Sequence, residues 1–478
     1  MNHRVEKRHP DGCTIAIIGG GFTGTTLAAR LLHRPTPSLL VVLIERNPVF
    51  GRGVAYGTRC PGHLLNVPAE NMSALGDHPT HFLRWARDHF DSRVKPCDFL
   101  PRSLYGDYVE SVLREAIRLH PGQFEWRHDE ACSITRTGQK VEILLGNGEV
   151  ICADRVVMAL GNFPPGDPVL PGKSHPCRHY IHDVWADDTP DRLTQARCIL
   201  LVGSGLTSVD VAVAARAHQF KGTIHILSRH GLLPKGHKAD TSHTLISINS
   251  FPSTTRGLLH WVRTLTKEAK ARGCDWRSII DSLRPFTQQI WQSLRHKEQL
   301  RFLRHVRPYW EVHRHRLAPE IDAQVASQLS SGQIRIHAGR ITAYRENADC
   351  VDVTYRDRKR GKLQSLLVSL VLNCTGTEVN TRRVTNPLVK SLLKQKLACP
   401  DPLFLGLWVS DDGALIDGNG MVSDSLYAIG PPRKGSLWET TAVPEIRNQI
   451  SELSRLLLPS CVQKDSALTE SVQADVTG

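Results

Sequence analysis

Three glycines, Gly19, Gly21 and Gly24, stand in G-x-G-x-x-G register directly after a β-branched run, Thr14 to Ile18. The chemistry open to that spacing is diphosphate binding. The first glycine allows a tight turn, the second lets the backbone approach a pyrophosphate, and the third lets the next helix pack on the strand. A diphosphate then lies against free backbone N–H groups at the positive helix end. Leu27, Ala28, Leu31 and Leu32 give that helix its apolar side, and a second strand, Leu39 to Ile44, ends in Glu45, 21 residues past Gly24. A carboxylate there can accept hydrogen bonds from both hydroxyls of an adenosine ribose and would repel a 2′-phosphate, which suits the adenosine of FAD. The plain alternative is a glycine-rich turn in an ordinary α/β domain, and strand, helix and acid in this order argue against it.

The pattern recurs 184 residues on. Cys198 to Val202 reads as a strand, Gly203-Ser204-Gly205 as a turn and Thr207 to Ala217 as a helix, with Ser208 at the third fingerprint position. A further strand, Thr223 to Leu227, runs into Ser228-Arg229-His230, with Lys235 beyond. Gly203, Gly205 and Thr207 are the candidate residues for a second dinucleotide. A guanidinium at Arg229 can clamp a 2′-phosphate bidentately, so NADPH is expected there. NADH remains open if Arg229 is only a solvated strand-end charge. Two nucleotide folds in one chain imply that a reduced nicotinamide passes hydride to a flavin.

The elements that must hold these sites suggest an α/β protein with two Rossmann-like dinucleotide-binding domains, the NAD(P) domain inserted into the FAD domain. The expected boundaries are 1–165 for the first part of the FAD domain and 190–340 for the NAD(P) domain. The latter carries a mostly helical insertion at 235–330, residues 341–458 return to the FAD domain, and 459–478 form a disordered tail. Pro164, Pro165, Pro168 and Pro171 mark the linker between domains, and 46–76, rich in Gly, Pro and Asn, reads as a long functional loop.

Bulk composition adds bounds. The 478 residues carry a net charge of +13, which favours anionic partners in general without choosing among cofactors, acidic substrates and nucleic acid. Twelve cysteines lack C-x-x-C spacing, so no zinc ribbon or redox pair is visible and a reducing cytoplasm is expected. The polar start, Met1 to Gly12, has no cleavage-site pattern, and no apolar run is long enough for a membrane span. Seven Arg or Lys between Arg295 and Arg316, interleaved with Phe302, Tyr309 and Trp310, would suit a nucleic-acid face. A solvated helix pair over a phosphate-bearing cofactor has the same look and is the preferred reading. His175, Cys177, His179 and His182 cluster, but Pro176 breaks helical spacing and no metal is expected.

Several further stretches carry a family resemblance: Gly-Arg-Gly-Val-Ala-Tyr (51–56), Leu-Leu-Asn-Val-Pro-Ala-Glu-Asn-Met (64–72), Gly-Ser-Gly-Leu-Thr-Ser-Val-Asp (203–210), Ser-Arg-His-Gly-Leu-Leu-Pro (228–234), the segment 309–316 and Gly-Ser-Leu-Trp-Glu-Thr-Thr-Ala-Val-Pro-Glu-Ile-Arg (435–447). Together they span nearly the whole chain. It resembles the flavin- and NAD(P)-binding oxidoreductases that include bacterial urate hydroxylases and aspartate N-monooxygenases. The resemblance implies FAD on Gly19, Gly21, Gly24 and Glu45, with Arg52, Gly53 and Asn66 near the flavin. It also implies that Gly376 and Gly430 lie on strands returning to the FAD domain. Many flavoproteins place an Asp after the glycine of the last strand to hold the ribityl chain; here Pro431 follows Gly430.

The expected function is an FAD- and NAD(P)H-dependent monooxygenase, an N- or C-hydroxylase acting through a C4a-peroxyflavin on a small polar or anionic molecule with O2. Asn66, Trp438 and Thr441 are the candidates to sit over the ring. A flavin-dependent dehydrogenase or reductase without oxygen transfer is the alternative. A nucleic-acid-binding or regulatory flavoprotein is the alternative from another class. Substrate identity and oligomeric state are not legible.

Overall fold

The computed structural model describes residues 12–34, 38–168, 178–238 and 250–458; the expected tail, 459–478, lies outside them. The chain divides into two compact units. The first comprises residues up to Gly57, Pro68–Phe163 and the chain from Val379 onward; the second comprises Thr58–Val67 and Pro164–Glu378.

The first unit is built on a six-stranded sheet in the order Ala414–Ile416, Val422–Ala428, Arg155–Met158, Cys13–Ile18, Leu39–Glu45, Phe124–His128. All neighbours are parallel except the Ala414–Ile416 edge, which pairs antiparallel. The central strands are aliphatic on both faces because both faces are covered. Helix Phe22–Leu32 packs against helices Arg102–Leu119 and Val443–Leu457. Ala16, Ile18, Val42 and Ile44 share a core with a small antiparallel sheet (Ala131–Thr137, Lys140–Leu145, Val150–Ala153) through Ile134, Ile143 and Ile151. The Asn147-Gly148 turn of that sheet closes a hairpin, with Gly148 at φ +87°.

The second unit has a seven-stranded sheet in the order Leu363–Val368, Val351–Asp357, Ile334–Glu346, Thr223–Ser228, Cys198–Val202, Leu370–Asn373, Tyr180–Ile181. Val351–Asp357 pairs antiparallel with both Leu363–Val368 and Ile334–Glu346; the other neighbours pair in parallel. Ile199, Leu201, Ile224 and Ile226 face helix Leu206–Ala217 and Val325 of helix Pro319–Ser330, while Leu200, Val202 and Leu227 face a second core with Tyr344, Val351 and Val353. Six helices between Thr255 and Ser330 occupy the region expected to be a helical insertion. Three of its buried residues, Ala269, Ile279 and Leu283, pack with Trp261 and Trp310.

Two expected boundaries are corrected. Residues 341–378 do not return to the FAD domain, because Val351–Asp357, Leu363–Val368 and Leu370–Asn373 complete the second sheet. The loop expected to belong wholly to the first domain is also split. Thr58–Val67 joins the second unit, where His63 Nε2 lies 2.9 Å from the Asp210 carbonyl and Gly62 sits close against Val213.

Candidate functional site

The first glycine turn is closed by contacts that only glycine permits. Gly19 has φ +105°, and a Cβ there would lie 2.4 Å from the Ala159 carbonyl oxygen. A Cβ at Gly24 would lie 1.9 Å from the carbonyl oxygen of Gly19 itself, so the third glycine lets the helix settle on its own turn. Helix Phe22–Leu32 starts after Gly21 with no side-chain cap and no acidic residue in its first turn. Thr254, Asp275 and Asn386 cap three other helices, and most of the rest share the missing side-chain cap, so what sets this N-terminus apart is the glycine turn ahead of it. Uncapped N–H groups at a positive helix end are the donors that an anion such as a diphosphate needs.

Glu45 is buried, and its carboxylate is already oriented. Oε2 accepts from the Gly20 N–H at 2.5 Å, and Oε1 accepts from the backbone and side-chain amides of Asn47 at 2.8 and 2.6 Å. Oε1 thus has both lone pairs engaged, and Oε2 keeps one for a ribose hydroxyl. Gly20 and Asn47 were not among the sequence candidates. Their signal was only adjacency to the motif.

The loop after this strand docks back on the turn. The Gly51 N–H donates to Gly20 O at 2.7 Å and to Thr25 Oγ1 at 3.0 Å, and a Cβ on Gly21 would meet Gly53 Cα at 3.6 Å. Gly53 therefore sits at the turn. The guanidinium of Arg52 is turned to Asp107 at 2.5 Å and Glu110 at 3.3 Å, an ion-paired position that anchors the loop on helix Arg102–Leu119.

Gly430, just past strand Val422–Ala428, belongs to the first unit with φ +77°, and a Cβ there would come within 3.2 Å of Thr23 Oγ1 in the first helical turn. Its N–H donates to Gln449 Oε1 at 3.0 Å and its carbonyl accepts from Thr440 Oγ1 at 2.6 Å, both partners buried. Pro431 offers neither a side-chain acceptor nor an N–H. Trp438 follows in a backbone region rare for a side-chain-bearing residue, φ 61° and ψ −65°, with the Glu439 N–H donating to Leu437 O at 2.7 Å. That is a strained γ-turn, of the kind kept where surrounding structure enforces it. Its indole is buried, with Lys434 Nζ 5.1 Å from the ring centre, whereas Thr441 is exposed.

The second glycine turn repeats the construction. Gly203 has φ +114°, and a Cβ would lie 2.2 Å from the Cys374 carbonyl oxygen. Helix Leu206–Ala217, with Thr207 in its first turn, starts after Gly205 without a side-chain cap. Ser208 donates through Oγ to Gly203 O at 2.7 Å. Ser204 Oγ bonds Ser228 Oγ at 2.8 Å and donates to Leu232 O at 2.6 Å, and Ser228 Oγ also accepts from the Gly231 N–H at 3.0 Å. Ser228 thus stands where the first unit has Glu45, and the next residue, Arg229, is exposed. The His230 imidazole is held below its usual pKa by burial and by the charges of Arg358 and Arg229. Arg358 was not a sequence candidate; only its place in the turn of a distant hairpin brings it here.

Two candidates change place. Gly376 was expected on a strand returning to the FAD domain, but it follows Leu370–Asn373 of the second sheet, beside the Gly203 turn that Cys374 touches. Asn66 belongs to the second unit because its carbonyl oxygen accepts from His237 Nε2 at 3.1 Å. Burial and the charge of Arg316 push His237 down to about 4, so the ring is neutral at pH 7.

The basic stretch 295–316 is not one open face. Arg301 pairs with Glu298, Arg307 with Glu311 and the buried Arg316 with Asp281, while Phe302 packs on Trp291 and Tyr309 on His230. His179 pairs with Glu346 and His182 with Asp167; His175 and Cys177 lie outside the described residues. Among the described residues no helix is long and apolar enough to cross a membrane.

Two glycine turns, each at the carboxyl ends of parallel strands and each opening an uncapped helix, define a protein with two dinucleotide-binding domains. Residues 16–163 match the family model described as FAD-NAD(P)-binding. No curated protein matches the chain. Solved structures share its fold. L-lysine 6-monooxygenase from Pseudomonas syringae aligns with a TM-score of 0.63 at 16% identity, over 93% of this chain and 98% of that one. Ornithine N-hydroxylase from Kutzneria sp. 744, described with FADred, NADP+ and L-orn, aligns at 0.60 and 12%, over 93% and 99%. Bacillithiol disulfide reductase from Staphylococcus aureus aligns at 0.55 and 12%, over 94% and 99%. At these identities the likeness establishes architecture and leaves the chemistry to the sites.

Proposed function

We propose that this protein is an FAD- and NADPH-dependent monooxygenase that hydroxylates a small polar or anionic, amino-acid-like molecule with O2. The observation that carries the proposal is the contrast in residues at the two second-strand ends, a buried carboxylate in the first unit and a serine followed by exposed arginine in the second. The residues fit FAD in the first unit: Gly19 and Gly24 let the helix close on its turn, Gly21 leads into uncapped N–H groups suited to a diphosphate, and Glu45 Oε2 is oriented for a ribose hydroxyl. Gly203, Gly205, Thr207 and Arg229 would take NADPH, with Gly376 beside that turn. The likeness to lysine and ornithine hydroxylases supports the class of substrate, as does the chain's net charge of +13.

Bound FAD would supply hydride acceptance and oxygen activation, chemistry that belongs to the cofactor. The chain binds, orients and excludes water. The Gly20 N–H and Asn47 hold Glu45 in one rotamer, so the adenosine end meets a prearranged acceptor. Gln449 and Thr440 fix the peptide groups of Gly430, which makes the end of the last strand rigid. Pro431 leaves the ribityl hydroxyls to other partners, and Thr23, adjacent to Gly430, is the hydroxyl we assign to that role. The strained turn at Trp438 holds its indole in place against Lys434, and Asn66 is kept in position through His237.

The test is spectroscopic and then kinetic. Purified protein should carry a bound flavin spectrum, NADPH should bleach it anaerobically, and a small amine or amino acid should stimulate NADPH-dependent O2 uptake with an oxygenated product. Undiminished anaerobic turnover with substrate would point to a dehydrogenase and overturn the oxygen-transfer assignment.

A further inference from the structure

The exposed end of strand Thr223–Ser228 is built from three separate stretches of chain. Ser228 pairs in register with Ala338 of the neighbouring parallel strand. The next residues turn at Gly231, with φ +62°, where a Cβ would lie 3.1 Å from that of Ala338. The third stretch is the tight turn of the hairpin between Val351–Asp357 and Leu363–Val368, whose Arg358 donates its backbone N–H to the Ala338 carbonyl at 2.8 Å. Ala338 is thus the platform that seats Arg229-His230-Gly231 on one side and Arg358 on the other. Arg358 Nη1 reaches the carbonyl oxygen of Arg229 at 3.5 Å, and both side chains are exposed.

The Arg358 guanidinium is therefore set against the backbone of Arg229, at the position where a dinucleotide presents its adenosine ribose. Among the described residues neither is given an acidic partner by the ion pairs observed. The residue facing the turn is Ser228, not an acid that would compete. Burial and then the charges of Arg358 and Arg229 hold the neighbouring His230 imidazole below its usual pKa. The ligand that two exposed guanidinium forks at one strand end match is a phosphate monoester with about two negative charges.

We propose that Arg358, contributed by the hairpin appended to the sheet, is a specificity-determining residue that grips the 2′-phosphate of NADPH together with Arg229. The assignment rests on the reading of the second unit as the NADPH site. The hairpin is then more than an edge extension: its turn is the arm that distinguishes the phosphorylated from the unphosphorylated coenzyme.

The experiment is calorimetric titration of the full-length flavoprotein with 2′,5′-ADP and with 5′-ADP, for wild type, R358A and R229A. The wild type should prefer 2′,5′-ADP. R358A should weaken that ligand roughly tenfold to hundredfold, the loss expected of one charge-assisted contact, and leave 5′-ADP within about twofold. In flavin-reduction kinetics the same variant should raise the KM for NADPH and leave that for NADH unchanged. A wild type that does not distinguish the two ligands overturns the NADPH reading itself. A wild type that prefers 2′,5′-ADP while R358A and the milder R358Q keep the full preference overturns the role of Arg358 alone. Melting temperatures within a degree or two of wild type, expected for an exposed side chain, separate either result from misfolding.

Discussion

The two glycine turns solve one packing problem in two ways. In the first unit the helix comes so close that a Cβ at Gly24 would overlap the Gly19 carbonyl at 1.9 Å. In the second, Ser208 occupies the same position and its hydroxyl donates to the matching carbonyl of Gly203 at 2.7 Å. There a side-chain hydrogen bond stands in the place of the direct backbone contact. The same substitution of hydroxyl for tight approach appears at the strand ends. Glu45 receives the Gly20 N–H directly, whereas Ser228 bonds to Ser204, which donates to the Leu232 carbonyl. A fingerprint glycine is thus required only where the helix has no room; a departure from the motif does not mean that the turn has lost its shape.

The comparison can be broken most forcefully at Gly24. Gly24→Ala should cost roughly 2 to 5 kcal/mol of stability and leave a protein that purifies without flavin, because the added carbon must displace the turn or the helix. The matching change in the second unit, Ser208→Ala, should cost only about 1 kcal/mol, the worth of one hydrogen bond, and retain flavin. Equal melting temperatures for the two variants would show that the turns are packed alike after all.

The next largest effect separates the units by pH. On the strand following each turn, the first unit has only aliphatic residues before Glu45. The second carries His225, whose Nδ1 lies 2.8 Å from His337 Nε2. Burial and the charge potential of His337 lower His225 to about 4. A histidine whose folded pKa is depressed binds more protons when unfolded, so its contribution is complete above the unfolded value near 6.5 and is lost as pH falls toward about 4. Thermal melts between pH 7 and 4.5 should show the second unit losing up to about 3 kcal/mol, with His225→Gln flattening the slope. A pH-independent melt would remove the histidine pair from the account.

A smaller effect is expected at the carboxylate. Glu45→Gln keeps the shape but removes the charge and replaces one acceptor by a donor, so flavin adenine affinity should fall about tenfold, read by fluorescence as flavin dissociates. An unchanged dissociation constant would mean that Glu45 serves only to hold Gly20 and Asn47.

The legibility of this molecule from sequence followed locality. Strand, glycine turn, helix and acid lie within about thirty residues, and period, glycine spacing and β-branching are local signals, so both nucleotide units could be read directly. Misplacements occurred where the chain crosses between units. Asn66 sits in a stretch that looks continuous with the first domain, but His63 and His237 bond it into the second. Gly376 follows a strand that looks like a return to the first sheet, yet that strand pairs with Cys198–Val202. No periodicity encodes which sheet a buried aliphatic strand will join, since either edge offers the same hydrogen bonds and the same apolar faces.

What the amino-acid order determined by itself was the existence of two glycine turns opening helices and the kind of residue at each second-strand end, because these depend on residue type at fixed short spacing. Only tertiary structure decided which distant residues stand beside them. Gly51 closes on the first turn, Gln449 and Thr440 pin Gly430, and Arg358 comes up next to Arg229 across more than a hundred residues of chain. Those contacts arise from strand pairing and burial summed over whole sheets, a global balance that no short stretch of sequence carries.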